Sequence, residues 1–255
     1  MTLIGLLGGM SWESTALYYR LMNEAVRERR GGLHSARIVM HSVDFAGIEL
    51  LQHEGDWAGA AAILGEAAAG LAAAGASFLV IATNTMHKIA DEIEAESGLP
   101  VLHIADPTGA AIRSAGHKTV GLLATRFTME EDFYRSRLER RYGLNVILPD
   151  AEERADVHRI IYEELCRGVV SEPSRLRFRQ IIDHLHWSGA QAVILGCTEI
   201  TLLVGQKDSR LPVFDTTAIH ARAAVNLALG SGAPAEPAAR DAQAGAGKSM
   251  RAQTS

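Results

Sequence analysis

Phe78-Leu79-Val80-Ile81-Ala82-Thr83-Asn84-Thr85 is an unbroken apolar run that stops abruptly in three small polar residues. An apolar run without alternation reads as a strand buried on both faces, the kind found in parallel sheets covered by helices on either side. The polar end reads as a turn into a helix over residues 84–97. The same arrangement returns in Ala192-Val193-Ile194-Leu195-Gly196-Cys197-Thr198-Glu199. A second pair matches too, Leu3-Ile4-Gly5-Leu6-Leu7 with Thr119-Val120-Gly121-Leu122-Leu123. The offset from Gly5 to Gly121 is nearly that from Thr83 to Cys197, so two similar strand–turn–helix halves are expected.

Working outward, residues 11–30, 57–74, 128–142, 151–168, 173–188 and 217–229 carry helical patterns. Residues 36–43, 101–104, 146–148 and 212–215 are short apolar strands. Strands alternating with helices predict an α/β fold. The expected architecture is two pseudo-symmetric lobes, each a mostly parallel sheet flanked by helices, with the active site in the cleft between them. Ligands in such sheets bind beyond the carboxyl ends of the strands. Residues 1–115 with 212–230 are assigned to the first lobe and 116–211 to the second. Residues 231–255, rich in Gly, Ala, Pro, Gln and Ser without periodicity, are expected to be a disordered, dispensable tail.

Composition narrows the function. The 255 residues are 47% apolar and 22% charged, which excludes a disordered chain, a collagen and a coiled coil. A net charge of −5 and no dense Lys/Arg run argue against nucleic acid as a partner. Two cysteines make no disulfide scaffold. The start lacks the basic segment of a signal peptide. Residues 58–81 hold too many glycines and alanines, with Glu66 and Ser77, for a membrane span. A cytoplasmic protein with no membrane association is the expectation.

Among residues able to do chemistry, Cys197 stands out. It follows a buried strand and Gly196 and precedes what reads as a helix start, where backbone N–H groups lower a thiol's pKa. A small buried hydrophobe is the plainer alternative. Cys166 reads as structural, in mid-helix among apolar neighbours. Thr83-Asn84-Thr85 is either a helix cap or a set of donors for a carboxylate. Gly8-Gly9-Met10-Ser11 lacks the nucleotide-binding glycine patterns, but its glycines allow close backbone approach to a small anion. The ten histidines form no H-E-x-x-H, and His184 and His186 do not share a helix face. No metal is expected, and no lysine context suggests pyridoxal phosphate.

These residues resemble a known family. Gly5-Leu6-Leu7-Gly8-Gly9-Met10-Ser11-Trp12-Glu13-Ser14-Thr15, Thr83-Asn84-Thr85-Met86-His87-Lys88 and Gly196-Cys197-Thr198-Glu199-Ile200 are similar to motifs of the aspartate/glutamate racemases. Leu102-His103-Ile104-Ala105-Asp106 and Pro212-Val213-Phe214-Asp215-Thr216 match as well. The resemblance covers residues 2–230. It implies two pseudo-symmetric lobes, no cofactor, a small amino acid substrate, and a possible homodimer. Family members remove the α-proton with one cysteine and return a proton to the opposite face with a second. Here the second is Cys197, while Thr83 stands where the first is expected. The chain is similar to the threonine/cysteine-pair amino acid racemases, L-aspartate/glutamate-specific or broader. That implies Cys197 on the L side and Thr83 on the opposite face. Met10, Gln52, Asn84, Thr85, Thr125, Thr198 and Glu199 fall at positions resembling substrate-holding residues. Glu163 or Glu164 is placed near Cys197 as a helper, although a solvated helix face is the simpler reading. Donors at Asn84, Thr85 and Thr198 would stabilise the carbanion's charge. Because a threonine alkoxide is far too basic to persist near neutral pH, turnover is expected to be slower than with two cysteines by roughly 10²–10⁴. The alternatives are a single-cysteine decarboxylase resembling arylmalonate decarboxylase and a non-catalytic binder of acidic amino acids.

Overall fold

The structure is a computed structural model that describes residues 1–230; the expected tail at 231–255 lies outside the described residues. The chain opens with β1 (Ile4–Gly8), buried throughout, and turns into α1 (Trp12–Arg30). Ser11 caps that helix by accepting from the Ser14 N–H at 3.3 Å. Arg27, Arg29 and Arg30 sit in its last turn, where cations suit the helix dipole. β2 (Ile38–Ser42) follows, then α2 (Phe45–Glu54), α3 (Trp57–Ala73) and β3 (Phe78–Ile81). A 3-10 turn (Thr85–Ile89) leads into α4 (Ala90–Ser97), and α5 (Ala105–Ser114) completes the first half.

The second half starts with β4 (Thr119–Ala124), α6 (Arg126–Glu130), α7 (Asp132–Tyr142) and β5 (Asn145–Ile147). Next comes α8 (Ala151–Arg159), which loosens into a π-helical turn (Ile160–Glu164) and then tightens into a 3-10 turn (Leu165–Arg167). The chain finishes through α9 (Glu172–Trp187), β6 (Ala192–Gly196), α10 (Ile200–Leu203), β7 (Val213–Asp215) and α11 (Thr216–Leu229).

Two sheets result, ordered β2-β1-β3 and β5-β4-β6-β7, and every strand pair is parallel. The first three strands of each half thus occupy equivalent places, which is the two-lobed α/β fold expected. Alternation along β1 shows why the strands read as continuous apolar runs. Ile4 and Leu6 enter a cluster with Tyr18 and Met22 of α1, while Leu7 enters one with Leu64 and Leu71 of α3. Both faces are covered, so neither can be polar. The small residues of α3 let it lie close to α4: a Cβ on Gly65 would stand 2.9 Å from Glu96 Cγ.

Several expectations need correction. Residues 101–104 form no strand; Val101 makes a single bridge to Leu79, and Pro100, which has no N–H, precedes it. The helix expected over 128–142 breaks at Glu131, whose backbone is extended at φ −87°, ψ 150°. α2 and α5 are additional helices. β7 hydrogen-bonds to β6 in the second sheet, so residues 213–215 extend that lobe rather than the first. α11, in contrast, buries Ala221, Ala224 and Val225 with Tyr18, Met22 and Val26 of α1. No helix among the described residues is long and apolar enough to cross a membrane.

Candidate active site

The carboxyl ends of β3 and β6 deliver Thr83 and Cys197 to one cavity. All nine residues singled out from the sequence line it: Met10, Gln52, Thr83, Asn84, Thr85, Thr125, Cys197, Thr198 and Glu199. Hydrogen bonds between the halves close its walls. Ser11 Oγ donates to Glu199 Oε1 at 2.8 Å, and Ser14 Oγ donates to Thr198 Oγ1 at 2.6 Å. The hydroxyl of Thr85 lies 3.1 Å from that of Thr125 and 3.3 Å from that of Thr128. The enclosed cavity is about 30 Å³. Since one water needs roughly 10–15 Å³, an amino acid enters only when these side chains move apart.

Cys197 Sγ donates to Glu199 Oε2 at 2.9 Å. Burial, then the Glu199 carboxylate, pushes this thiol well above its ordinary pKa. The thiolate-favouring effect expected from the sequence is present only as the Glu199 backbone N–H, and burial and the Glu199 carboxylate outweigh it. α10 begins only at Ile200 and is a single turn, and the nearest charge is negative. The resting state is therefore a thiol hydrogen-bonded to the Glu199 side chain.

Thr83 is half-buried, and its hydroxyl bonds to no described residue. Its backbone carbonyl, by contrast, is held by His87 Nδ1 at 2.8 Å. Asn84 is fixed from the other half. Thr216 Oγ1 donates to the Leu195 carbonyl at 2.9 Å, so it accepts from Asn84 Nδ2 at 3.1 Å. That sets the amide's orientation and leaves Asn84 Oδ1 buried without a partner, as is Gln52 Oε1. A donor at Asn84 was expected; the open position is an acceptor, suited to an N–H group.

The glycine turn also serves a different purpose. A Cβ on Gly9 (φ +94°) would meet Val43 O at 2.2 Å, and one on Gly8 would meet Thr15 Cγ2 at 2.4 Å. The close approach is to this chain's own backbone and helix, and the Gly9 N–H is taken by Thr15 Oγ1 at 2.8 Å. No anion is needed to explain it.

Cys166, read from the sequence as structural, lines the cavity together with Ile161 and Tyr162. The π-helical turn and the 3-10 turn that follows reset the helix phase there, as π-bulges commonly do at functional sites. Burial pushes the Cys166 thiol up to about 12. The Tyr162 hydroxyl is raised by burial and by the neighbouring Cys197. Ser11, Phe45, Met86 and Gly196 also contribute to the walls. A Cβ on Gly196 would lie 3.0 Å from that of Ala124, so glycine there lets Cys197 emerge tight against β4. Glu163 is exposed and Glu164 accepts from Ser174 Oγ at 2.6 Å and Ser171 Oγ at 3.0 Å; neither lines the cavity. Among the described residues no group of three or more His, Cys, Asp or Glu is arranged to hold a metal ion.

Comparison with known proteins gives a consistent pattern. Residues 7–224 match the family model described as Asp/Glu/hydantoin racemase. The crystal structure of a candidate Asp/Glu racemase from Yersinia pestis is 56% identical, with a TM-score of 0.84 over 90% of this chain and 100% of that one. An aspartate racemase homologue from Pyrococcus horikoshii OT3 is 36% identical, with a TM-score of 0.78 and the same coverage. The broad specificity amino-acid racemase RacX of Bacillus subtilis (strain 168) is 25% identical over 159 residues, which is 61% of this chain and 66% of that protein.

Proposed function

The chain belongs to the Asp/Glu/hydantoin racemase family, and from that premise we propose that it is an amino acid racemase independent of pyridoxal phosphate, with Cys197 acting on the L side and Thr83 on the opposite face. The observation carrying this reading is the convergence of both residues on one cavity, with the Glu199 carboxylate 2.9 Å from the Cys197 thiol.

The steps balance as follows. Glu199 takes the thiol proton, and the Cys197 thiolate removes the α-proton of the L-amino acid, breaking C–H and forming S–H. The carbanion's charge spreads into the substrate carboxylate, where hydroxyls of Thr85 and Thr198 can donate. The Thr83 hydroxyl, without a partner among the described residues, then donates its proton to the other face. Water returns the alkoxide to hydroxyl, the hydroxide so formed takes the proton that Glu199 had accepted, and this replacement limits turnover. Asn84 Oδ1 and Gln52 Oε1, acceptors without partners, suit the substrate ammonium.

Among the described residues the cavity lining holds no Lys, Arg or His, and its only carboxylate is Glu199. A distal substrate carboxylate would meet no cationic side chain there, only hydroxyl, amide and backbone N–H donors. That supports a substrate range extending beyond aspartate and glutamate to amino acids with uncharged side chains. The test is to incubate the protein with single L-amino acids and hydroxylamine, which captures pyridoxal phosphate, and to resolve the enantiomers by chiral chromatography. D-product from wild type but not from Cys197→Ala is expected. Hydroxylamine-sensitive racemisation, or equal activity in Cys197→Ala, overturns the reading.

A further inference from the structure

Behind the Thr83 turn lies a buried group that the proposed steps leave unused. His87, His103 and His220 are 3%, 6% and 0% exposed. The His87 ring lies with its centroid 4.7 Å from that of His103 and 5.6 Å from that of His220. Their protons are placed by what they touch. His220 Nε2 is 2.6 Å from the Leu102 carbonyl, which only accepts, and Nδ1 is 2.8 Å from the Tyr18 hydroxyl. His103 Nδ1 accepts the Ala105 N–H at 3.2 Å. His87 Nδ1 faces the Thr83 carbonyl at 2.8 Å, so it carries the proton there, and His87 Nε2 is left buried with no partner among the described residues.

An unpartnered buried nitrogen is unfavourable, and a leucine would fill similar space without it. What leucine lacks is the donor on the Thr83 carbonyl. That bond fixes the peptide plane between Thr83 and Asn84. It matters because the Thr83 hydroxyl has no bond of its own to a described residue. Cys197 is aimed by Glu199, whereas Thr83 is aimed only by its backbone.

We propose that His87 is the positioning residue of the Thr83 face: its Nδ1–H, held by the ring contacts with His103 and His220, orients the Thr83 hydroxyl toward the substrate α-carbon. The inference rests on the racemase reading of Thr83 and Cys197. In that reading a carbanion formed from the L-enantiomer either regains a proton from Cys197, with retention, or takes one from Thr83, with inversion.

The experiment follows a wild-type L-substrate in D₂O, reading total α-proton loss by NMR and inversion by chiral chromatography. His87→Leu, which keeps volume and removes the donor, is expected to lower the inverted fraction at least tenfold while total exchange stays within about twofold. His87→Asn, whose amide can take the place of Nδ1–H, restores inversion. Equal slowing of both pathways, or unchanged partitioning, reduces His87 to core packing and overturns the proposal. Should His87→Leu not fold, the wild-type imidazole ¹⁵N spectrum decides. A proton on His87 Nδ1 is expected, and one on Nε2 overturns it. Wild type that exchanges no L-amino acid removes the racemase reading itself, and this inference with it.

Discussion

The Cys197 thiol and the Glu199 carboxylate share one 2.9 Å hydrogen bond, and Ser11 from the other lobe holds the second carboxylate oxygen at 2.8 Å. The carboxylate beside the thiol is thereby anchored from both halves of the cleft. Loss of the thiol proton to solvent instead of to Glu199 is opposed by the carboxylate, because two negative charges would then sit side by side. Glu199→Gln should therefore have two opposite effects. Racemisation falls by roughly 10²–10⁴, the usual worth of a positioned acid–base group. Yet the thiol's pKa drops from its raised position, so iodoacetamide alkylates Cys197 at lower pH than in wild type. An unchanged alkylation profile contradicts the pairing.

Thr83→Cys supplies a group whose conjugate base persists near neutral pH. It should raise racemisation kcat/KM by up to roughly 10²–10⁴, measured by chiral chromatography. Absence of any gain argues against Thr83 facing the α-carbon.

Acid should destabilise the fold before its carboxylates titrate. Burial, with the charges of its neighbours secondary, lowers the pKa of His87 and His103, and burial takes His220 from 6.5 to about 4. Above pH 6.5 both folded and unfolded states are neutral at these rings and the full stability is present. As pH falls from 6.5 towards 4, the unfolded chain takes up protons that the folded chain refuses. His220 alone then removes about 3 kcal/mol, and the other two act in the same direction. Urea unfolding at pH 7.5, 6 and 5 checks this; a flat profile over that window contradicts it.

Two glycines should respond with opposite signs. Gly9→Ala forces a Cβ to 2.2 Å from Val43 O at φ +94° and should cost at least about 1–3 kcal/mol. Gly47, exposed in α2 with nothing within 4 Å of its Cβ position, should gain about 0.4–1 kcal/mol on becoming alanine. Thermal melts of the two variants read both signs.

How much of this was legible in sequence depends on the range of the interactions. The strands at 4–8, 78–81, 119–124 and 192–196 could be read because both of their faces are buried, which leaves a purely apolar string. Nine of the sixteen residues lining the cavity were reached through the turns that end those strands and through the family resemblance. α5 was not, because Pro107 and Gly109 disguise a helix whose Thr108 and Ile112 are fully buried. The place of Cys166 on the cavity wall was not legible, since a change of helix phase at 160–164 sets which way it faces. The pKa direction of Cys197 depended on a carboxylate two residues away whose orientation Ser11 sets from 188 positions distant in sequence. His87, His103 and His220 come together only in the folded chain, so no spacing announces them.

The central claim, that Cys197 and Thr83 work on opposite faces of one amino acid, is tested most directly in D₂O with separate L-amino acids. Loss of the α-proton signal should be accompanied by deuterated D-product, with Cys197→Ala silent in both readouts. Deuterium uptake with wholly retained L-configuration contradicts the role of Thr83, and no uptake from any amino acid contradicts the account as a whole.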